Sequence, residues 1–219
     1  MMRFPFTEKD FEIVNRQIIH EGFFRYVNYE LRHRLFKGGW TALLHREVIE
    51  RSHAAALLPY DPILDQVVLL TQFRVGAIPP SKKYASDSPS REANPWLIEI
   101  VAGLLSPNET PKEVALREAE EEAGCRILEL YPINDYFVSP GGSNEYIHLY
   151  CGRIDSSSIQ NSYHGLEEEN EDIYAFILPV EEAFEWLNQG KIKTAPALIA
   201  LQWLKLNRHF LRDLWLKSA

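Results

Sequence analysis

The segment 103–125, GLLSPNETPKEVALREAEEEAGC, constrains the chain more than any other stretch. Thr110-Pro111-x-Glu113 is a helix-start signal, with a threonine able to cap and a proline at the first helical position, where its missing N–H is no loss. Gly124 suits the residue just past a helix end. Together these predict a helix from Pro111 to about Ala123. On that helix Glu118 and Glu122 lie one turn apart on one side, with Glu121 on the flank of the same stripe, so three carboxylates fall within about 100° of arc. Like charges at this spacing destabilise a bare helix, and near its C-terminus they also oppose the macrodipole. Taken alone, such a stripe is either a solvated acidic face or a set of oxygen ligands for a hard divalent cation, which turns repulsion into binding.

The charge balance sharpens the question. The 219 residues carry a formal net charge of −8. Much of the excess sits in two places: the helix just described, and the run Glu167, Glu168, Glu169, Glu171 and Asp172. Elsewhere acids and bases nearly cancel. No basic face is expected, which argues against a nucleic-acid partner. No apolar run is long enough for a membrane-spanning helix, and the first residues lack the apolar stretch of a secretory signal. Cys125 and Cys151 then read as reduced thiols, and a cytoplasmic location is expected.

Periodicity fills in the rest. Two extended segments are expected over 11–34 around His20-Glu21-Gly22, then a strand over 46–58 whose second half is continuously apolar. Tyr60-Asp61-Pro62 reads as a turn, Gln66–Arg74 as a strand, 79–95 as a long polar loop, and Trp96–Ala102 as another strand. After the helix, strands are expected near 126–137, 145–151 and 173–178. A short helix follows Pro179, and Thr194–Trp215 is helical. Strands mixed with helices without regular alternation indicate an α+β fold. Residues 1–50 are expected to form an antiparallel β unit, and residues 51–219 the main domain.

The spacing Gly-x5-Glu-x7-Arg-Glu-U-x-Glu-Glu-x-Gly-U, with U apolar, is filled at every fixed position by Gly103, Glu109, Arg117, Glu118, Glu121, Glu122 and Gly124. It resembles the Nudix box of the Nudix hydrolases. Cys125 stands where the family usually has an aliphatic residue, and cysteine packs as a small hydrophobe. The resemblance implies an α/β/α sandwich with mixed sheets, and hydrolysis of a nucleoside diphosphate linked to another group, with Mg²⁺ or Mn²⁺. It further implies Glu118 and Glu122 as principal metal ligands, Glu121 as a further ligand, the carbonyl of Ala102 as another, and Arg117 as the group that holds the carboxylates in place.

Pro140, within Ser139-Pro140-Gly141-Gly142, lies where the ADP-ribose pyrophosphatase branch carries a proline, though a plain Pro-Gly turn accounts for it equally. Segments 22–39, 46–62, 94–105, 164–173 and 198–204 also resemble the bacterial form of that branch, whereas the loop around 79–94 is longer. In that branch a loop glutamate activates the attacking water and another, two residues on, touches metal. Glu169 and Glu171 match them. A carboxylate near a cation can take the proton, although a solvated acidic loop explains the local sequence by itself. His164 suits orienting the loop better than proton transfer. Arg46, Arg51 and Arg74 match substrate-binding positions, Phe23 an adenine-stacking aromatic and Glu47 a group that contacts the base. Leu104, Ser139, Gly141 and Glu145 match lesser pocket positions. By the residues alone, Phe23 could be ordinary core and the arginines could decorate a β surface.

The same resemblance implies a homodimer in which the N-terminal β unit crosses over and completes the partner's pocket. The expected substrate is ADP-ribose. A hydrolase of another nucleotide sugar such as GDP-mannose is the nearer alternative, and a non-catalytic ADP-ribose sensor the more distant one, disfavoured by the intact carboxylates. No Gly-x-Ser-x-Gly elbow, zinc-ligand spacing or phosphate-binding Gly-x4-Gly-Lys-Ser/Thr loop is present.

Overall fold

The computed structural model describes residues 6–78 and 94–216. They fall into two compact units, one reaching His53 and taking in Tyr136–Tyr146, the other built from Ala54–Asp135 and the chain from Ile147 onward. The long loop expected around 79–94 lies, up to residue 93, outside the described residues.

The first unit is a three-stranded antiparallel sheet, β1 (Phe11–Glu21), β2 (Arg25–His33) and β3 (Leu44–Glu50), in that order. Every residue of β1 is exposed, and in β2 only Val27 is buried. Segment 136–146 joins this unit through β3: the Ile49 amide donates to the Gly142 carbonyl at 2.9 Å, and the Arg51 amide to Asn144 Oδ1 at 2.8 Å.

The second unit contains β4 (Ala54–Asp61), β5 (Gln66–Phe73), β6 (Trp96–Glu99), β7 (Val101–Leu104), α1 (Pro111–Ala123), most of β8 (Glu129–Phe137) and β9 (Tyr146–Arg153), β10 (Ser162–His164), β11 (Ile173–Pro179), α2 (Val180–Asn188) and α3 (Ala195–Leu216). Its sheet runs β10-β11-β5-β4-β9-β8, with β6 added to β5 and β7 to β4. It is mixed: β4 and β9 are parallel, while β4 pairs antiparallel with β5 and β7. Every residue of β4 is buried, the mark of a strand covered on both faces. Side chains alternate across a strand. Ala55 and Leu57 therefore share a core with Val114, Ala115, Ala119 and Ala123 of α1. Tyr60, of opposite parity, meets Trp215 of α3 with ring centroids 6.3 Å apart. Helices thus cover both faces, the layering expected of an α/β/α sandwich. Cys125 and Cys151 are both free and buried.

α1 begins and ends where the sequence signals place it. Thr110 and Glu113 form a reciprocal capping box, and Gly124 closes the helix in the left-handed region at φ 58°.

Three expectations need correction. The single strand over 46–58 is two, β3 and β4, interrupted at Arg51-Ser52-His53, because the first half pairs with β2 and the second with β7 and β9. The turn expected from Tyr60 begins at Pro62. Asp61 stays in the strand, buried, and its carboxylate accepts from the amides of Ile63, Leu64 and Ser156. The strand expected over Trp96–Ala102 breaks at the buried Ile100. β4 and β5 pair only at Tyr60↔Val67 and Asp61↔Gln66, and the chain passes from β5 to β4 between β6 and β7. The short β10 and the 3₁₀ turn Glu167–Glu169 were not anticipated.

Candidate metal and active site

The helical period decides where the acids go. Val114, Ala115, Ala119, Glu122 and Ala123 form the buried stripe of α1, so Glu122 is carried inward with the alanines. Glu122 is 2% exposed, and its carboxylate accepts from the Ala102 amide of β7 at 2.9 Å. Burial, followed by the charges of Glu118 and Glu171, pushes this carboxyl up to about 8, against the opposing pull of the Ala102 amide and Arg74. Glu118 lies one turn earlier. Its carboxylate passes so close over Gly103 that a Cβ there would overlap it, which is why this position takes glycine. Burial raises the Glu118 carboxyl as well, with Arg117 opposing.

Arg117 clamps the outer side of this stripe. Its Nη1 donates to Glu118 Oε1 and to Glu121 Oε2, each at 2.8 Å, and its Nε donates to Glu109 Oε1 at 3.0 Å. These partners hold its own pKa above the ordinary arginine value, and in return the guanidinium lowers that of Glu109. Arg74 donates from Nη2 to Glu99 Oε2 at 2.7 Å and carries positive charge toward Glu122 and Glu171. Glu99 also accepts from Gln72 at 3.3 Å. In sequence the one signal of Glu99 is an acid in an otherwise apolar strand. Leu104 is the last residue of β7.

Glu171 lies close enough to raise both Glu118 and Glu122 by charge. The backbone of Glu169 belongs to the 3₁₀ turn Glu167–Glu169, and its side chain lies outside the described residues. The second unit therefore gathers Arg74, Ala102, Arg117, Glu118, Glu121, Glu122 and Glu171. Of Ala102, the contact on show is its amide. Among the described residues no three His, Cys, Asp or Glu side chains are grouped so as to hold a metal ion, and Arg117 occupies oxygens of Glu118 and Glu121. The donor set nevertheless suits a divalent cation. Glu118 and Glu122 are both desolvated carboxylates raised by burial, and the charge of Glu118 raises Glu122 further, the condition a hard cation with oxygen ligands relieves.

The first unit carries the other expected substrate residues. Phe23 is 82% exposed and packs edge-on against Phe24, with centroids 4.9 Å apart. Phe23 and Arg51 line one groove with Glu21, Arg25, Glu50 and Asn144. Arg51 pairs with Glu145 at 3.2 Å, and its guanidinium lies 4.8 Å from the centre of the Phe24 ring. Its Nε is buried and has no hydrogen-bond partner among the described residues, as does the Tyr136 hydroxyl. Burial, with a contribution from Glu145, pushes Tyr136 up to about 12. Tyr136 gave no signal in sequence, where a tyrosine in a strand is ordinary. Glu47 accepts from the Tyr26 hydroxyl at 2.5 Å, and Arg46 turns its Nη1 onto the His45 carbonyl at 2.7 Å. Neither Arg46 nor Glu47 lines that groove. Ser139, Pro140 and Gly141 form an exposed turn, closed by Gly142 and Ser143 amides donating to the Ser139 carbonyl.

The chain matches the NUDIX domain over residues 53–199. It belongs to the Nudix family. Two relatives named ADP-ribose pyrophosphatase are each 40% identical to this Nudix protein. The one from Haemophilus influenzae aligns over 213 residues, 97% of this chain and 94% of the relative, and that of Escherichia coli K12 over 210 residues, 96% and 95%. A GDP-mannose pyrophosphatase of Cronobacter sakazakii is 34% identical over 197 residues, 89% of this chain and 95% of that one. A solved structure described as an ADP compounds hydrolase shares the fold with a TM-score of 0.62, covering 90% of this chain and 95% of that chain at 17% identity. The protein is a pyrophosphohydrolase of the Nudix family, whose members generally use divalent metals.

Because the Glu122 carboxyl rises from its ordinary 4.5 to about 8 in the folded Nudix protein, the folded state holds a proton that the unfolded chain releases. Its contribution to stability is full below about 4.5 and is lost as pH climbs to about 8. Calorimetric melts of the metal-free protein should show the midpoint of wild type falling by several degrees relative to Glu122→Gln across this window. Excess divalent cation should flatten the difference. Parallel pH profiles for the two metal-free proteins would contradict this.

Proposed function

We propose that this Nudix enzyme hydrolyses the diphosphate of ADP-ribose, giving AMP and ribose 5-phosphate, with Mg²⁺ as its cation and Mn²⁺ as a substitute. The carrying observation is the Glu118–Glu122 pair set against β7, in a chain similar over nearly its whole length to relatives named for this reaction. When bound, the cation neutralises diphosphate charge and lowers the pKa of the attacking water. Glu118, Glu122 and the Ala102 carbonyl are the groups that would hold it, with Glu121 and Glu171 in support. Arg117 keeps the carboxylates oriented, and Arg74 adds positive charge for the developing phosphate negative charge. Glu169 takes the proton from water. Phe23 stacks on adenine, Glu47 contacts the base, and Arg46 and Arg51 bind the substrate's anionic portion. Leu104, Ser139, Pro140, Gly141 and Glu145 shape the pocket. A cytoplasmic enzyme fits this substrate.

With Mg²⁺ and a panel of nucleotide sugars, ADP-ribose should give the highest kcat/KM. Glu169→Gln should lower kcat by about 10²–10⁴-fold while leaving ADP-ribose and cation binding largely intact. Preferred turnover of GDP-mannose would overturn the substrate assignment. Lost binding with unchanged kcat would move the base to another loop acid.

The N-terminal β unit is proposed to dimerise and to complete the partner's pocket. β1 leaves Phe11, Ile13, Val14, Ile18 and Ile19 about half exposed, a concentration of apolar surface typical of an interface. Glu122→Gln and the double variant Phe23→Ala/Arg46→Ala damage different halves of such a composite site. Co-refolded, the two inactive proteins should regain activity well above the sum of each refolded alone. Verified heterodimers with no recovery would show that each subunit builds its own pocket.

A further inference from the structure

The acidic loop after β10 is tied at both ends. At its start, Gly165 takes φ 108° and packs so closely on Glu171 that a Cβ would lie 2.7 Å from the Glu171 Cβ and 2.9 Å from its carbonyl oxygen. The Glu171 amide donates to the Leu166 carbonyl at 3.2 Å, and the Leu166 amide donates to Glu171 Oε2 at 3.3 Å. Residues 165 and 171 thus form a closed neck, and Glu169 lies within the loop it closes.

The neck has a fixed neighbour. His164, the last residue of β10, pairs with Ile173 across the sheet. Its Nε2 lies 2.7 Å from Ser162 Oγ in a hydrogen bond that sets the ring. The ring rests on Gly124, where an added Cβ would lie 3.0 Å from His164 Cε1. Gly124 is the left-handed cap that ends α1 two residues beyond Glu122. One imidazole therefore touches the end of the helix bearing Glu118 and Glu122 and adjoins the neck of the loop bearing Glu169 and Glu171. A ring wedged between two elements transmits the position of one to the other, because packed side chains cannot be compressed without cost.

We propose that His164 is a positioning residue that sets the register of the 165–171 loop against the C-terminal end of α1, with Ser162 holding the ring. It does not touch the reacting atoms. The catalytic consequence rests on the roles proposed above for Glu169 and Glu171; the mechanical contact does not.

The test has two independent readouts. In the metal-free protein, hydrogen exchange at the Leu166 and Glu171 amides should accelerate about tenfold in His164→Ala, as expected when a local closing contact is lost. The Gly124 and Cys125 amides, which bond back to the helix, should keep their protection. In the Mg²⁺-loaded enzyme, kcat for ADP-ribose should fall about 10- to 100-fold with KM changed less than about twofold, the scale of a catalytic group displaced by an ångström. His164→Gln, whose amide can still meet Ser162, should recover most of both effects. Ser162→Ala should reproduce them in weaker form, which guards against a misfolded His164→Ala. Unchanged exchange at Leu166 and Glu171 in both alanine variants would overturn the proposal, whatever happens to turnover. Accelerated exchange with normal kcat would overturn its catalytic part. If ADP-ribose is not hydrolysed by wild type, the exchange measurement still decides the mechanical part.

Discussion

Glu122 is driven beneath α1 by the same period that buries Ala115 and Ala119, and holding a carboxylate there is costly. An unpaired buried ion is destabilising by several kcal/mol even after the protein relaxes. The Ala102 amide offsets part of that, and a proton or a cation must supply the rest. Placement is possible because β7 comes close to the helix at Gly103, where the absent side chain leaves room for the Glu118 carboxylate. Thr110, Pro111 and Gly124 fix where the helix starts and stops, and so which residues reach that contact. The crowded, desolvated setting of these carboxylates follows from how tightly one helix packs on one strand.

Around this centre the positive charges are restrained. Arg117 is held by Glu109, Glu118 and Glu121, and Arg74 by Glu99. Both guanidiniums are fixed by their carboxylate partners, which is the sense in which a site is preorganised. The acidic loop adds Glu171 from the opposite side in sequence, 49 residues or more from any box carboxylate yet near enough to act on Glu118 and Glu122 through charge. The first unit differs in kind: its β1 is exposed throughout, and its candidate substrate groups sit on a sheet whose buried core includes little beyond Val27.

Local features were legible in the sequence, and partners distant along the chain were not. The α1 boundaries, the cap at Gly124 and the stripe of acids on one side of the helix all follow from spacing within a dozen residues, whereas the burial of Glu122 needs the packing. The requirement for glycine at 103 was visible as a motif position, but its cause, the Glu118 carboxylate above it, needs the packing. The breaks at Arg51–His53 and Ile100 escaped the sequence because each marks a change of pairing partner, and pairing is set by strands far away. Glu99 escapes the sequence for the same reason: it matters through Arg74 and Gln72, which both donate to it, and that meeting depends on β6 lying against β5. Tyr136 reads in sequence as an ordinary strand former, and only the packing shows that its buried hydroxyl has no hydrogen-bond partner among the described residues.

The central claim is that Glu118 and Glu122 together form the cation site. Titration of Mn²⁺ into the metal-free protein, with free ion followed by electron paramagnetic resonance, tests it without requiring turnover. Wild type should bind Mn²⁺, and each of Glu118→Gln and Glu122→Gln, folded by circular dichroism, should bind it about tenfold or more weakly, as loss of a charged ligand implies. Unchanged affinity and stoichiometry in both variants would place the cation elsewhere and contradict the account.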